Sequence, residues 1–213
     1  MPAVVSVVLA TRNEGKLAEL RELLAGLPLE LISMRDVLGD SFSVVEDGLT
    51  FEENAVVKAK AVCQATHISA LADDSGLEVE ALGGRPGVRS ARFAHDRATD
   101  AENNAALLRE LEEIDEPQRA AQFRCVLALA SPWDDAPRLV EGRCAGRIAR
   151  TPRGSGGFGY DPLFLLEDGR AMAELSEAEK NAISHRGRAV RGVRPLLVSL
   201  LNARLDEAER IAG

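Results

Sequence analysis

The alternation of apolar and polar positions along the chain predicts a mixed α/β protein. Val4 to Ala10 reads as a strand, and Asn13 is placed to cap a helix in which Leu17, Leu20, Leu24 and Leu27 recur at helical spacing. Thr50 with Glu53, Thr99 with Glu102 and Ser176 with Glu179 each repeat the capping-box spacing, which predicts helix starts at those points. The helix after Thr99 should run through Leu107, Leu108 and Leu111 until Pro117. Between these helices, Ile68 to Leu82 alternates and carries Gly76 at an expected turn. Phe123 to Ala130 and Leu139 to Ile148 read as strands joined around Pro132 to Pro137. His185 to Ala212 is helix-like, and Pro195 within it predicts a kink or a break.

One irregular stretch stands out against this pattern, the run GSGGFGYDPLF from Gly154 to Phe164. Its first six residues satisfy G-x-G-x-x-G, but a dinucleotide fingerprint needs a strand before it and a helix after it. Here Pro152 precedes the glycines and Pro162 follows them, so they shape a loop feeding a buried strand over Leu163 to Leu166.

Composition narrows the function. With 213 residues, of which 46% are hydrophobic and 28% charged, the chain suits one folded domain spanning residues 1–213. Its formal net charge of −8 argues against nonspecific binding to nucleic acid or an anionic membrane, so an anionic ligand must meet a local basic site. The three cysteines form no C-x-x-C pair, and His67, His95 and His185 are scattered without zinc-site spacing. The apolar run ending at Ala10 lacks a basic leader and is far shorter than the roughly 20 residues of a membrane span, which places it in a cytoplasmic protein.

Four clusters carry candidate chemistry, and each also has a plainer description. Thr11, Arg12, Asn13, Glu14, Gly15 and Lys16 lie between the first strand and first helix, where backbone N–H groups and a lysine suit a triphosphate; a capped helix with a solvated lysine fits equally. Asp73, Asp74 and Ser75 follow an apolar strand, so one carboxylate could bind Mg²⁺ or orient water; an Asp-rich turn is the alternative. Glu46 and Asp47, with Lys58 downstream, supply a second carboxylate source or an ordinary acidic loop. Lys180, His185 and Arg186 could join Phe158 in fixing a base by stacking and by donation to an edge carbonyl, as an oxo-purine requires. The later arginines at 188, 191 and 194 read as one solvated helix face.

The segments ATRNEGK, FEENAVVKAKA, LADDSGLEVEALGGRPGVRSARF, GGFGYDPLF and AELSEAEKNAISHRGRA, in this order, resemble the inosine triphosphate pyrophosphatase family from about Val4 to Val190. The resemblance implies an α/β fold with a long mixed central sheet and flanking helices, forming two lobes around a nucleotide cleft. It implies a homodimeric hydrolase that uses Mg²⁺ to convert deaminated purine triphosphates to monophosphate and pyrophosphate. By position, Thr11 to Lys16 would hold the triphosphate, Asp74 would accept the proton and, with Glu46, bind metal, and Ser75 would touch substrate. Phe158, Gly159, Tyr160, Asp161, Lys180, His185 and Arg186 would form the base pocket, and Arg12 stands where many relatives carry glycine. A pyrophosphatase for modified pyrimidine triphosphates and a non-catalytic nucleotide sensor are the competing readings.

Overall fold

The structure is a computed structural model that describes residues 4–212, with side chains described as far as Arg210; residues 1–3 and 213 of the expected domain lie outside the described residues. Six strands form one mixed sheet in the order β2-β1-β3-β4-β5-β6: β1 Val5–Ala10, β2 Leu29–Ser33, β3 Ser69–Val79, β4 Ala120–Ala130, β5 Arg138–Ile148 and β6 Phe164–Leu165. β1 pairs parallel with β2 and β3, whereas β5 and β6 are antiparallel. Among the described residues six α-helices accompany them: α1 Glu14–Leu24, α2 Met34–Leu38, α3 Phe51–Thr66, α4 Asp100–Glu110, α5 Glu177–Ile183 and α6 His185–Ala212. Among the described residues no helix is long and apolar enough to cross a membrane.

The chain divides into two compact units. Among the described residues the first comprises 4–73, 126–141 and 189–212, and the second 74–125 and 142–188. In the first, the buried apolar residues come from β1, from Leu17, Leu20 and Leu24 of α1, from Ala55, Ala59 and Val62 of α3, and from Val193 and Leu197 of α6. The helical spacing of the three helix sets is what lets one stripe of each leave water. In the second unit Leu77, Val79, Leu107, Leu111, Phe123, Ile148, Tyr160, Phe164 and Met172 belong to one core cluster. Cys63, Cys125 and Cys144 are buried thiols outside any disulfide, and burial pushes the Cys63 and Cys144 thiols up, which keeps them protonated.

The four capping signals work as the sequence predicts. Asn13, Thr50, Thr99 and Ser176 each accept the N–H three residues on, and the last three form reciprocal boxes with Glu53, Glu102 and Glu179. At the last of these, the Ser176 hydroxyl and N–H, aided by Arg170, hold the Glu179 carboxyl down at about 2, so the box stays ionised through the neutral range.

Three expectations need correction, and of the two alternatives at Pro195 the break is removed. Gly76 lies inside continuous strand β3 rather than at a turn, because what it supplies is room: a Cβ there would come within 2.6 Å of the Gly87 carbonyl oxygen and would strike the Ser90 hydroxyl. α4 ends at Glu110, and Pro117 falls instead in a separate 3-10 turn at Glu116–Gln118. The strand expected over Leu163–Leu166 shortens to Phe164–Leu165. α6 runs through Pro195 without splitting, held by buried Val193 and Leu197 and by Arg194, whose guanidinium donates to the Leu23 carbonyl at 2.9 Å.

The second unit also contains a buried cation. Arg119 is only 2% exposed and donates to the carbonyls of Ile114 and Ala149, each at 3.0 Å, and of Leu111. These bonds tie the segment after α4, at Leu111 and Ile114, to Ala149 just after β5 through one buried guanidinium.

Candidate active site

In the first unit the turn from β1 into α1 is built by short-range bonds. The Thr11 hydroxyl accepts the Asn13 N–H at 3.2 Å, and Asn13 Oδ1 accepts the Lys16 N–H at 3.0 Å. The N–H groups of Glu14 and Gly15, in the first turn of α1, are among those with no partner inside the helix. Lys16 Nζ lies 2.9 Å from Asp73 Oδ1, whose side chain is fully buried. The Asp73 carbonyl in turn accepts Lys58 Nζ at 3.0 Å, and the same ammonium lies 2.6 Å from Glu46 Oε2. Two lysines and two carboxylates thus link the head of α1, strand β3, helix α3 and the loop bearing Glu46.

Two residues of the proposed triphosphate loop are engaged elsewhere. Arg12 donates to the carbonyls of Asp40, at 2.8 Å, and of Phe42, so it pins the segment after α2. Glu14 lies 2.8 Å from Arg35 on the exposed side. Arg12 therefore has a structural use here.

In the second unit the glycine-rich loop closes around an ion pair. Asp161 Oδ2 accepts Lys180 Nζ at 2.5 Å and the Phe158 N–H at 2.9 Å, and both charged side chains are nearly fully buried. Gly157 lies in the left-handed region at φ +69°, and a Cβ there would collide with the Asp161 carboxylate. Lys180 Nζ stands 4.8 Å from the centroid of the Phe158 ring and the Arg186 guanidinium carbon 5.7 Å, so two cations face one aromatic ring. Arg186, 1% exposed, also donates to the Ser75 hydroxyl at 2.9 Å, which ties the ring's surroundings to the residue after Asp74. Asp74 is itself 8% exposed.

His185 and Tyr160 also make contacts inside the second unit. The His185 ring stacks on Phe123 with centroids 4.8 Å apart and planes 17° from parallel. The Tyr160 hydroxyl donates to the Ser90 carbonyl at 2.8 Å; burial, reinforced by the charge of Asp100, raises its pKa and keeps it a donor.

The Ham1 family model matches residues 7–196, a span that includes every one of these side chains. The chain belongs to the Ham1 family. Similar Ham1 relatives include a dITP/XTP pyrophosphatase of Geobacter sulfurreducens, 52% identical over 86% of this chain and 92% of the relative. Another, of Shigella flexneri, is 47% identical over 87% and 94% respectively. Among solved structures, a HAM1 protein from Coxiella burnetii superimposes with a TM-score of 0.83 at 44% identity, covering 92% of this chain and 100% of that one. The Staphylococcus aureus Ham1 protein gives 0.81 at 37% identity, covering 91% and 98%.

Beyond the residues expected from sequence, Ser184, Ser90, Asp100 and Asn104 of this Ham1 chain hydrogen-bond to the segments that carry them. Ser184 ends α5 and starts α6: its N–H bonds to the Lys180 carbonyl, and its hydroxyl accepts the Gly187 N–H at 3.0 Å. It therefore fixes the angle between the helices that carry Lys180 and Arg186. A serine immediately before His185 was the available signal, since serine is a favoured N-cap.

Proposed function

We propose that this chain hydrolyses ITP, dITP and XTP with Mg²⁺ to the nucleoside monophosphate and pyrophosphate, removing deaminated purines from the nucleotide pool. The observation that carries this reading is the Phe158 ring faced by Lys180 and Arg186. An aromatic face supports a base, and cationic donors at its edge suit the O6 acceptor of hypoxanthine and xanthine. Adenine presents an amino donor at that position, so donor would meet donor and the buried cations would be left unmatched. The names of the Ham1 relatives support the same substrate class.

In this reading the first turn of α1, with Glu14 and Gly15 N–H groups and the Lys16 ammonium, holds the anionic phosphates. Asp74 accepts the proton of the water that attacks the α-phosphorus, and pyrophosphate leaves. Asp74 and Glu46 offer hard carboxylate oxygens, a donor set that fits Mg²⁺, which takes one or two protein carboxylates and completes its shell with phosphate and water. When bound, the ion neutralises phosphate charge that the protein alone would have to offset. Ser75, placed by Arg186, contacts the substrate beside Asp74. Residues 1–213 act as one functional domain, since β3, β4, β5 and α6 each pass from one compact unit into the other. A homodimer and a cytoplasmic site of action complete the reading.

Initial rates with ITP, dITP, XTP and ATP in Mg²⁺ test it. The first three should exceed ATP in kcat/KM by at least about a hundredfold, as expected where a polar site rejects a mismatched edge. Equal turnover of ATP would overturn the assignment of Lys180 and Arg186.

A further inference from the structure

The Phe158 ring is placed by its backbone as much as by its own contacts, and part of that backbone is held by a helix outside the base pocket. The Gly159 N–H donates to Asp100 Oδ2 at 2.7 Å, and the Gly159 carbonyl accepts Asn104 Nδ2 at 2.9 Å. Asp100 and Asn104 lie one turn apart on the same face of α4, so one helix grips both polar groups of a single residue. Gly159 has φ +62° with open space around its missing Cβ, so its left-handed conformation, not crowding, calls for glycine. The next residue, Tyr160, is anchored to Ser90.

The gripping helix is itself well fixed. Its first turn is closed by the Thr99–Glu102 capping box, and buried Asn103 donates to the Ala91 carbonyl at 3.1 Å and accepts the Ala94 N–H at 2.9 Å. Asp100 in the first turn is favoured by the helix dipole, and a carboxylate acceptor makes the stronger kind of hydrogen bond. A rigid helix end therefore sets the position of the peptide immediately after Phe158.

We propose that Asp100 and Asn104 are positioning residues for purine selectivity, clamping Gly159 so that Phe158 meets the base at the distance at which Lys180 and Arg186 can read its edge. The proposal rests on the pyrophosphatase reading above and adds to it two residues that touch no substrate. Loosening the clamp removes a contribution that depends on base identity, so it weakens ITP recognition while leaving the poor reaction with ATP where it was.

The test compares Asn104→Ala, Asp100→Ala and Asp100→Asn with the unaltered protein, measuring kcat and KM for ITP and ATP together with Tm. For Asn104→Ala and Asp100→Ala, KM for ITP should rise about tenfold, the loss of one well-placed hydrogen bond, with kcat within about twofold and ATP kcat/KM unmoved. Asp100→Asn keeps an oxygen acceptor and should restore most of the selectivity. Equal loss for ITP and ATP, or an unchanged ITP-to-ATP ratio in both alanine variants, overturns the clamp. Phe158→Ala assayed in parallel separates the two levels: if it collapses the ratio while the α4 variants do not, the clamp alone fails. If it leaves the ratio unchanged, the base-site reading fails and the clamp with it.

Discussion

Replacing Asp74 by Asn is expected to lower ITP turnover by about 10²- to 10⁴-fold, the contribution of a positioned general base, with Tm changed by no more than a few degrees. The substitution keeps the side-chain shape at a position 8% exposed within β3, so the strand has no steric reason to shift. What is lost is the ability to accept a proton. The neighbouring Asp73 provides the control, because alternation along a strand sends the two side chains to opposite faces and Asp73 is committed to Lys16 at 2.9 Å. Asp73→Asn should reduce stability, since the fully buried carboxylate that partners Lys16 loses its charge, whereas Asp74→Asn should reduce chemistry. An Asp74→Asn protein that keeps a tenth or more of the turnover would remove Asp74 from the role of proton acceptor.

The second large effect concerns the ion pair beneath the base platform. Lys180→Met strands the Asp161 carboxylate in a site where both side chains are under a tenth exposed, and breaking such a pair costs about 3–5 kcal/mol. That is a large share of the roughly 5–15 kcal/mol that holds a domain folded. Asp161 also holds the Phe158 N–H, so the compensating change must keep an oxygen acceptor. The double variant Lys180→Met with Asp161→Asn removes both charges and retains that acceptor. It should therefore recover most of the stability in urea unfolding while ITP selectivity stays lost. Full recovery of selectivity in the double variant would show that the lysine supports the loop without reading the base.

The parts of this protein that were legible in its sequence are those fixed by neighbours within a turn. The caps at Asn13, Thr50, Thr99 and Ser176 each involve residues three apart, and all four are formed. Strand β2 and helix α2 are less legible: Ser33 caps α2 through the Arg35 N–H without a reciprocal box, and the helix it opens is only five residues long. Gly76 misled for the opposite reason. Its neighbours suggest a turn, but the constraint comes from Ser90, which accepts the Leu77 N–H at 2.9 Å and donates to the Gly87 carbonyl at 2.7 Å.

The candidate site divides along the same line. That Lys180 and Asp161 matter was readable from the resemblance; that they pair in a buried site, with the aspartate also holding Phe158, depends on contacts between residues far apart in sequence. Lys16 likewise read as a phosphate ligand, and the structure adds that Asp73, on a different element, holds its ammonium. Arg12 shows how a residue read as part of a ligand loop acquires a second meaning through the segment it pins.

The central claim is that water attacks the α-phosphorus of a deaminated purine triphosphate. Hydrolysis of ITP in oxygen-18 water, followed by phosphorus NMR of the products, tests it most directly. The account predicts one label per turnover in the phosphate of IMP, with unlabelled pyrophosphate released in equal amount. Label in pyrophosphate, or release of orthophosphate in its place, would contradict it.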